Sequence, residues 1–413
     1  MSKEKLMPRL RFESFFKKLD WQYTKLGEVA DIVGGGTPST QIEKYWNGDI
    51  NWFSPTEIGE TSYLNSSERK ITKLGLKKSS AKILPIGTVL FTSRAGIGKT
   101  AILEKESTTN QGFQSIVPKK NILNSYFIYS RSEEIKNYAE IVGAGSTFVE
   151  VSGKQLEKMM LLIPELKEQQ KIGSFFEKID KMIQLQQSKV NKVKNIKAAY
   201  LSEVFPKEGE KYPEKRFEGF TDPWKETRLS DFVSKAVDNR GKTPPLSDEG
   251  THPLIEVASI GDYYPNYSKV EKYLDDIAFD NNLRGYIKQN DILFSTVGRI
   301  GLVSLMDHNK DAAIAQNIVA FRATENNIPE YIYALLSAQT NKEKSERIVM
   351  GAVQPSIKVS QLENVKYLIT DNIKEQQLIG SFFAKLENII IYNQNHLIKL
   401  KELKKAYLND MFV

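Results

Sequence analysis

The chain is written twice. "KEQQKIGSFFEK" at 167–178 recurs as "KEQQLIGSFFAK" at 374–385, with ten of the twelve positions identical and an offset of 207 residues. "AYLSEVF" (199–205) is answered at the same offset by "AYLNDMF" (406–412). "RFESF" (11–15), Trp21 and Leu26 are answered by "RFEGF" (216–220), Trp224 and Leu229, and "GGTPS" (35–39) more loosely by "GKTPP" (241–245). A repeat of this period restricts the chain to two globular parts, each leading into the same helical segment. Between the anchors the halves differ almost everywhere, so a shared frame carries two unlike surfaces.

The helical segments have a heptad rhythm. Ile172, Phe176, Ile179, Ile183, Val190, Val193, Tyr200 and Val204 follow steps of four and three, with Gln186 and Lys197 in the gaps. The second copy places Ile379, Phe383, Leu386, Ile390, Leu397, Leu400, Tyr407 and Met411 in the same register, with Asn393 and Lys404 in the gaps. About 35 residues make a rod of roughly 50 Å. A seam so narrow and regular predicts that the two helices pair antiparallel, the alternative being that each lies on its own globular half. Gln186 and Asn393, polar and central, are candidates for fixing the register of that pair.

Within the globular parts, "INWFS" (50–54), "TVLFTS" (88–93) and "NIVAFRA" (317–323) read as strands. Residues 125–142 and 329–349 read as helices with aromatic faces, and "GAGST" (143–147) and "MGAVQ" (350–354) lead back towards the rods. The fold class is α+β: two mixed α/β domains separated by two long paired helices.

"SRAGIGKT" (93–100) resembles a phosphate-binding loop, but Ser93 stands where the opening glycine belongs. Its counterpart in "NDILFSTVGRIGLVSL" (290–305) keeps Gly301 but has Leu302 and Val303 where Lys99 and Thr100 stand. What both copies keep is a strand followed by a glycine turn.

Other chemistry is scarce. The chain has no cysteine, which excludes disulfides and thiolate metal sites and suits a cytoplasmic protein. Its three histidines, His252, His308 and His396, are too dispersed for a metal cluster or a catalytic triad. No apolar run is long enough to cross a bilayer, and "MSKEKLMPRLRF" has no secretory core. "TPPL" (243–246) is not the Asn/Asp-Pro-Pro-aromatic loop of an adenine methyltransferase, and the glycines at 34–36 have "NRGKTPP" as their twin, which favours a turn over a cofactor loop. With 58 Lys and Arg against 51 Asp and Glu, the net charge of +7 makes a polyanion a compatible partner.

The whole chain resembles the specificity subunits of type I restriction–modification systems. The resemblance is carried by "LGEVADIVGGGTPS" (26–39), "YWNGDINWFSP" (45–55), "IPELKEQQKIGSFF" (163–176) and "IKEQQLIGSFF" (373–383). It implies target-recognition domains over 1–165 and 206–372, each reading half of a bipartite DNA site, and spacer helices over 166–205 and 373–413. It also implies assembly with two adenine methyltransferase (modification) subunits and two ATP-dependent restriction subunits, which hold S-adenosylmethionine, ATP and Mg²⁺. The chain itself would be non-catalytic, bind double-stranded DNA, hold no cofactor or metal and touch no membrane. The second half departs from the pattern: "HPLIEVASIGD" (252–262) has neither tryptophan of "YWNGDINWFSP".

Phosphates are held by Lys and Arg, and base edges are read by Arg, Lys, Asn and Gln. Loops beside the shared turns offer Arg94, Lys99, Asn110 and Gln111 in the first half, and Arg240, Lys242, Arg299, Gln316 and Asn317 in the second. Tyr263, Tyr264 and Tyr267 lie beside Lys269 and Lys272 as further aromatic and basic residues. Two rivals remain: an autonomous nucleotide-dependent enzyme built on "SRAGIGKT", and a scaffold indifferent to DNA sequence. Equilibrium dialysis of the purified chain against ATP separates the first of them: no saturable binding is expected, and Lys99→Ala is expected to leave DNA targeting intact.

Overall fold

The computed structural model describes residues 7–18, 20–59, 61–94, 96–144, 150–241, 244–351 and 355–412. They form two compact units, residues 1–188 with 395–413, and residues 189–394. Each unit contains one globular domain, the start of one long helix and the end of the other. The helices, Leu166–Val204 and Ile373–Met411, are 39 residues each, about 58 Å of rise.

The expected antiparallel pairing is seen in both units. In the first, Phe175 meets Tyr407 edge-on at 4.9 Å and Phe176 stacks on Phe412 at 5.8 Å. In the second, Phe382 meets Tyr200 at 5.0 Å and Phe383 stacks on Phe205 at 6.2 Å. The start of each helix thus packs on the end of the other.

Each domain begins and ends in a two-stranded antiparallel ribbon, Gln22–Lys25 with Met160–Ile163 and Lys225–Arg228 with Lys366–Ile369. The second strand of each ribbon feeds directly into a long helix. The main sheet of the first domain has the order Ala30–Gly34, Gln114–Pro118, Val89–Phe91, Thr100–Leu103, Tyr63–Leu64. That of the second is Val233–Asp238, Ile318–Ala323, Ile292–Ser295, Val303–Leu305, the same order without the last strand. A three-stranded sheet stands beside each: Arg69–Ile71, Trp46–Phe53, Ser107–Thr109 in one, and Tyr273–Leu274, His252–Ile255, Ala313–Ile314 in the other. "HPLIEV" therefore does form the strand equivalent to "INWFSP", although the tryptophans are gone.

Both aromatic helices are broken. Residues 125–142 split into Ser125–Ser130 and Ser132–Gly143 at Arg131, whose ψ of 16° leaves the helical region. The break lets the buried Arg131 guanidinium give a hydrogen bond to the Leu162 carbonyl at 2.6 Å and fork onto Glu134. Residues 329–349 split into Pro329–Ser337 and Gln339–Glu346 at the extended Ala338. The segments 143–147 and 350–354 fall partly outside the described residues.

The repeated "KEQQxIGSFF" docks each domain on its helix. Glu168 is fully buried, accepts both arms of Arg11 at 2.7 Å, and receives the Trp21 indole at 3.4 Å. Glu375 accepts Arg216 at 2.7 and 3.0 Å and the Thr370 hydroxyl at 2.6 Å. Gln169 accepts from Asn124 N and donates to the Ile122 and Pro164 carbonyls, and Gln376 accepts from Ile328 N and donates to the Thr370 carbonyl. At Gly173 a Cβ would lie 2.5 Å from Asn124 Oδ1, and at Gly380 2.9 Å from Tyr331 N, so only glycine admits the domain helix this closely.

Among the described residues no helix is long and apolar enough to cross a membrane, and no group of His, Cys, Asp and Glu forms a metal site. Removing one partner of a buried ion pair leaves an uncompensated charge, so Arg11→Met is expected to destabilise its unit by about 3–5 kcal/mol, read as a fall in the denaturant midpoint.

Candidate nucleic-acid interface

The segment "SRAGIGKT" is a hairpin turn. Gly96 and Gly98 have φ of 100° and 94°, the left-handed region that glycine enters without cost. The Thr92 hydroxyl closes the turn by donating to the Gly96 carbonyl at 2.7 Å and accepting from Lys99 N at 2.9 Å. The second domain repeats this device: Ser295 donates to the Arg299 carbonyl at 2.6 Å and accepts from Leu302 N at 2.8 Å. Thr100 then opens a strand, whereas a phosphate loop must open a helix whose first amides face the phosphate. Gly35 and Gly36 pack against the protein's own chain, since Cβ atoms there would meet Asn110 O at 2.0 Å and Ser80 Oγ at 2.3 Å, which gives these glycines a packing role.

The hairpin faces the loop that leads into the neighbouring strand, Gln114–Pro118 or Ile318–Ala323. Ser93 N donates to the Gly112 carbonyl at 2.8 Å, and Thr296 N to the Asn317 carbonyl at 2.9 Å. Gln111 and Gln316 therefore occupy equivalent positions, as do Gly112 and Asn317. In the first domain Arg94, Asn110 and Gln111 come together. Asn110 Oδ1 accepts from Gly112 N at 2.8 Å, the Arg94 guanidinium reaches the same glycine, and the Thr37 hydroxyl donates to Gln111. Lys99 does not join them, because its side chain runs along Gly59.

In the second domain Arg240, Gln316 and Asn317 line one cavity of about 470 Å³, with Leu254, Glu256 and Lys272. Arg240 forks onto Asp238 at 3.1 Å and donates to the Ile357 carbonyl at 3.2 Å. Burial pushes the Asp238 carboxyl up, but the Arg240 fork and a backbone N–H outweigh it and hold it below the usual carboxylate range. Among the described residues, Asn317 Oδ1 is buried without a hydrogen-bond partner. Arg299 is exposed at the hairpin tip, and Lys242 lies outside the described residues. Tyr263 is buried against Tyr333 and joins the core, while the Tyr267 hydroxyl donates to Asp307 at 2.8 Å. Of the register candidates, Gln186 is buried, and Asn393 gives its amide to the Ile389 carbonyl one turn back.

A basic edge lies apart from these residues. From Ser67 to Lys82 there are six cations, Arg69, Lys70, Lys73, Lys77, Lys78 and Lys82, against one acid, Glu68. They lie on and beside the edge strand Arg69–Ile71 and the helix Lys73–Lys77, which Thr72 caps by accepting from Gly75 N. Trp46 and Trp52 pack edge to face at 5.0 Å, and the Arg69 guanidinium lies 3.7 Å over the Trp46 ring. The charge run was visible, but the pairing that brings Arg69 onto a tryptophan more than twenty residues earlier was not.

The second domain has the same strand and helix with the opposite sign. Tyr273–Leu274 leads into Asp276–Asn282, capped by Asp275 accepting from Ala278 N at 2.7 Å. Asp275, Asp276 and Asp280 stand there, and His252 stacks on Phe279 at 4.0 Å while meeting Asp276 at 2.9 Å. Leu254 takes the place of Trp52 and lines the cavity instead.

Comparison with known proteins places this geometry. Residues 18–195 and 221–402 each match the model for the type I restriction modification DNA specificity domain. The chain is 28% identical to the type I restriction enzyme MjaIX specificity subunit of Methanocaldococcus jannaschii, over 97% of this chain and 96% of that one. It is 31% identical to the EcoR124I/EcoR124II specificity subunit of Escherichia coli, over 40% and 42% of the two chains. In fold it is similar to the crystal structure of a type I restriction–modification S subunit from M. genitalium, with a TM-score of 0.63, 14% identity and coverage of 98% and 99%. The family model accounts for most of the chain in two copies, and the chain belongs to the family of type I restriction modification DNA specificity domains.

Proposed function

We propose that this chain is the non-catalytic DNA reader of a type I system, recognising a split, asymmetric sequence and bringing modification and restriction subunits to it. One observation carries the reading: two domains of one frame present unlike chemistry at equivalent positions. Where the first domain has a basic strand and helix the second has an acidic one, and where the first has the Arg94–Asn110–Gln111 cluster the second has a cavity lined by Arg240, Gln316 and Asn317. A duplicated frame with different edges suits two different half-sites. In this reading the recognition domains are 1–165 and 206–372, the spacer segments are 166–205 and 373–413, and Gln186 and Asn393 help hold the helix register.

Of the candidate readers, Arg94, Asn110 and Gln111 serve one half-site, and Arg240, Lys242, Arg299, Gln316 and Asn317 the other, with Lys99 held for phosphate. Arg69 and the lysines at 70, 73, 77, 78 and 82 bind backbone phosphates, which gives salt-dependent affinity without sequence preference.

The partners are two adenine methyltransferase subunits and two ATP-dependent restriction subunits, which hold S-adenosylmethionine, ATP and Mg²⁺, in the cytoplasm. Support for two equivalent partners comes from a second apolar stripe on each long helix. Met182, Leu185 and Ile196 are exposed on one, and Ile389, Tyr392 and Leu403 on the other, each pair 207 residues apart.

The decisive experiment is base-resolution adenine methylation mapping in cells carrying this chain and its modification subunit, against cells lacking this chain. A split motif that disappears with the chain is expected; an unchanged pattern with the modification subunit expressed overturns the reading. In that system Gln316→Ala is expected to relax one half-site only, by about 1–3 kcal/mol of discrimination. Lys73→Ala and Lys77→Ala are expected to weaken binding at all sequences alike, each lowering the slope of log K against log salt by about one.

A further inference from the structure

Each unit contains a buried cluster of one carboxylate, one tyrosine and one lysine, and the two clusters match residue for residue. In the first, Asp180 of the first long helix accepts from the Tyr126 hydroxyl at 2.8 Å and pairs with Lys404 of the second long helix at 2.5 Å. In the second, Glu387 of the second long helix accepts from the Tyr333 hydroxyl at 2.6 Å and pairs with Lys197 of the first long helix. Asp180 and Glu387, Tyr126 and Tyr333, and Lys197 and Lys404 are all 207 residues apart. The carboxylates are 7% and 4% exposed. Burial, and next the charge of Asp180 or Glu387, pushes both tyrosines well above their ordinary range, so each hydroxyl remains a donor.

The placement is costly. Lys197 and Lys404 fill heptad positions where an apolar side chain would pack the seam, and buried ion pairs are often outperformed in stability by apolar replacements. The best-attested return on such a group is specificity of geometry. Here each carboxylate ties together three elements: its own helix, the other helix, and the domain helix Ser125–Ser130 or Pro329–Ser337.

Each domain is already pinned at Glu168, Gln169 and Gly173, or at Glu375, Gln376 and Gly380. These contacts fall within about one and a half turns of helix, so tilting about that point is the motion they restrain least. The carboxylate cluster is seven residues further along the helix from the glycine, about 10 Å, and supplies a second attachment that restrains that tilt.

We infer that the Asp180–Tyr126–Lys404 and Glu387–Tyr333–Lys197 clusters are positioning residues that set the angle of each recognition domain on the helix pair, and thereby the half-site spacing the chain accepts. The inference rests on the DNA-reading function proposed above. Adding one base pair between half-sites moves one of them by about 3.4 Å and turns it by roughly 35°. A domain held at two points rejects that displacement; a domain free to pivot follows it.

The test uses the complex with its modification subunits and a DNA library in which the cognate half-sites are separated by graded spacers, read by methylation sequencing. The Tyr126→Phe/Tyr333→Phe double variant removes only the two hydroxyls. It is expected to raise methylation at spacers one base pair off by about tenfold relative to the cognate spacer, a loss of about 1.4 kcal/mol of discrimination, with both half-site sequences unchanged. Asp180→Glu, which installs the residue the second copy uses, is expected to keep the wild-type spacing. Lys197→Met/Lys404→Met is expected to act like the tyrosine variant; if it fails to assemble, the tyrosine variant decides alone. A variant complex that methylates more slowly but with the wild-type spacing preference overturns the inference and leaves the clusters as stability elements. A wild-type complex indifferent to spacing overturns the underlying reading and the inference with it.

Discussion

A carboxylate withdrawn from water has to bring its counter-charge along, and four of them organise this structure. Glu168, Asp180, Glu375 and Glu387 all project from the long helices into the base of a domain, and each is at most 7% exposed. Arg11, Lys404, Arg216 and Lys197 answer them. Since an unpaired buried charge costs several kcal/mol, each pairing admits one arrangement of helix, partner helix and domain and penalises its neighbours. The aromatic contacts around Phe176 and Phe383 add apolar packing, but they tolerate small slips that the ion pairs do not.

The same economy explains which residues recur. Glu, Gln, Gly and the paired phenylalanines of "KEQQxIGSFF" all face a domain or the other helix, so they are held by packing and not by contact with a ligand. Residues on the far edge of each domain carry no such burden. There the frame supports "RKITKLGLKK" in one copy and "YLDDIAFDNN" in the other, with opposite charge on elements in the same place in the sheet order. The Thr92 and Ser295 hydroxyls show how little the frame asks of the turns: one donor and acceptor, and glycine where φ is positive.

Much of this was legible in order of residues alone. A period of 207 and a seam of steps of three and four state two domains and two pairing helices, because heptad burial is a local pattern that survives without knowledge of the partner. The hairpin reading of "SRAGIGKT" also came from the repeat, since a phosphate site has no reason to lose its lysine in the twin. Less legible were the helix breaks at Arg131 and Ala338, where propensity is unremarkable and a contact with a distant carbonyl or the core decides the backbone. Lys197 and Lys404 were visible only as gaps in the seam, because an interruption in a pattern does not say what fills it.

The sequence by itself determined the architecture: duplicated frame, long helices, turn glycines, and an absence of the usual catalytic motifs. These are properties of local periodicity and internal comparison. Only the tertiary structure decided which side chains meet. It brings Arg69 onto Trp46, gathers Arg94 with Asn110 and Gln111, separates Lys99 from them, and joins Arg240, Gln316 and Asn317 around one cavity. Such meetings depend on strand register and on loops closing across long stretches of chain, where a shift of one residue turns a side chain to the opposite face. For that reason the pairings of Asp180 with Lys404 and of Glu387 with Lys197, each spanning 190 or more residues, could be read only from the folded chain.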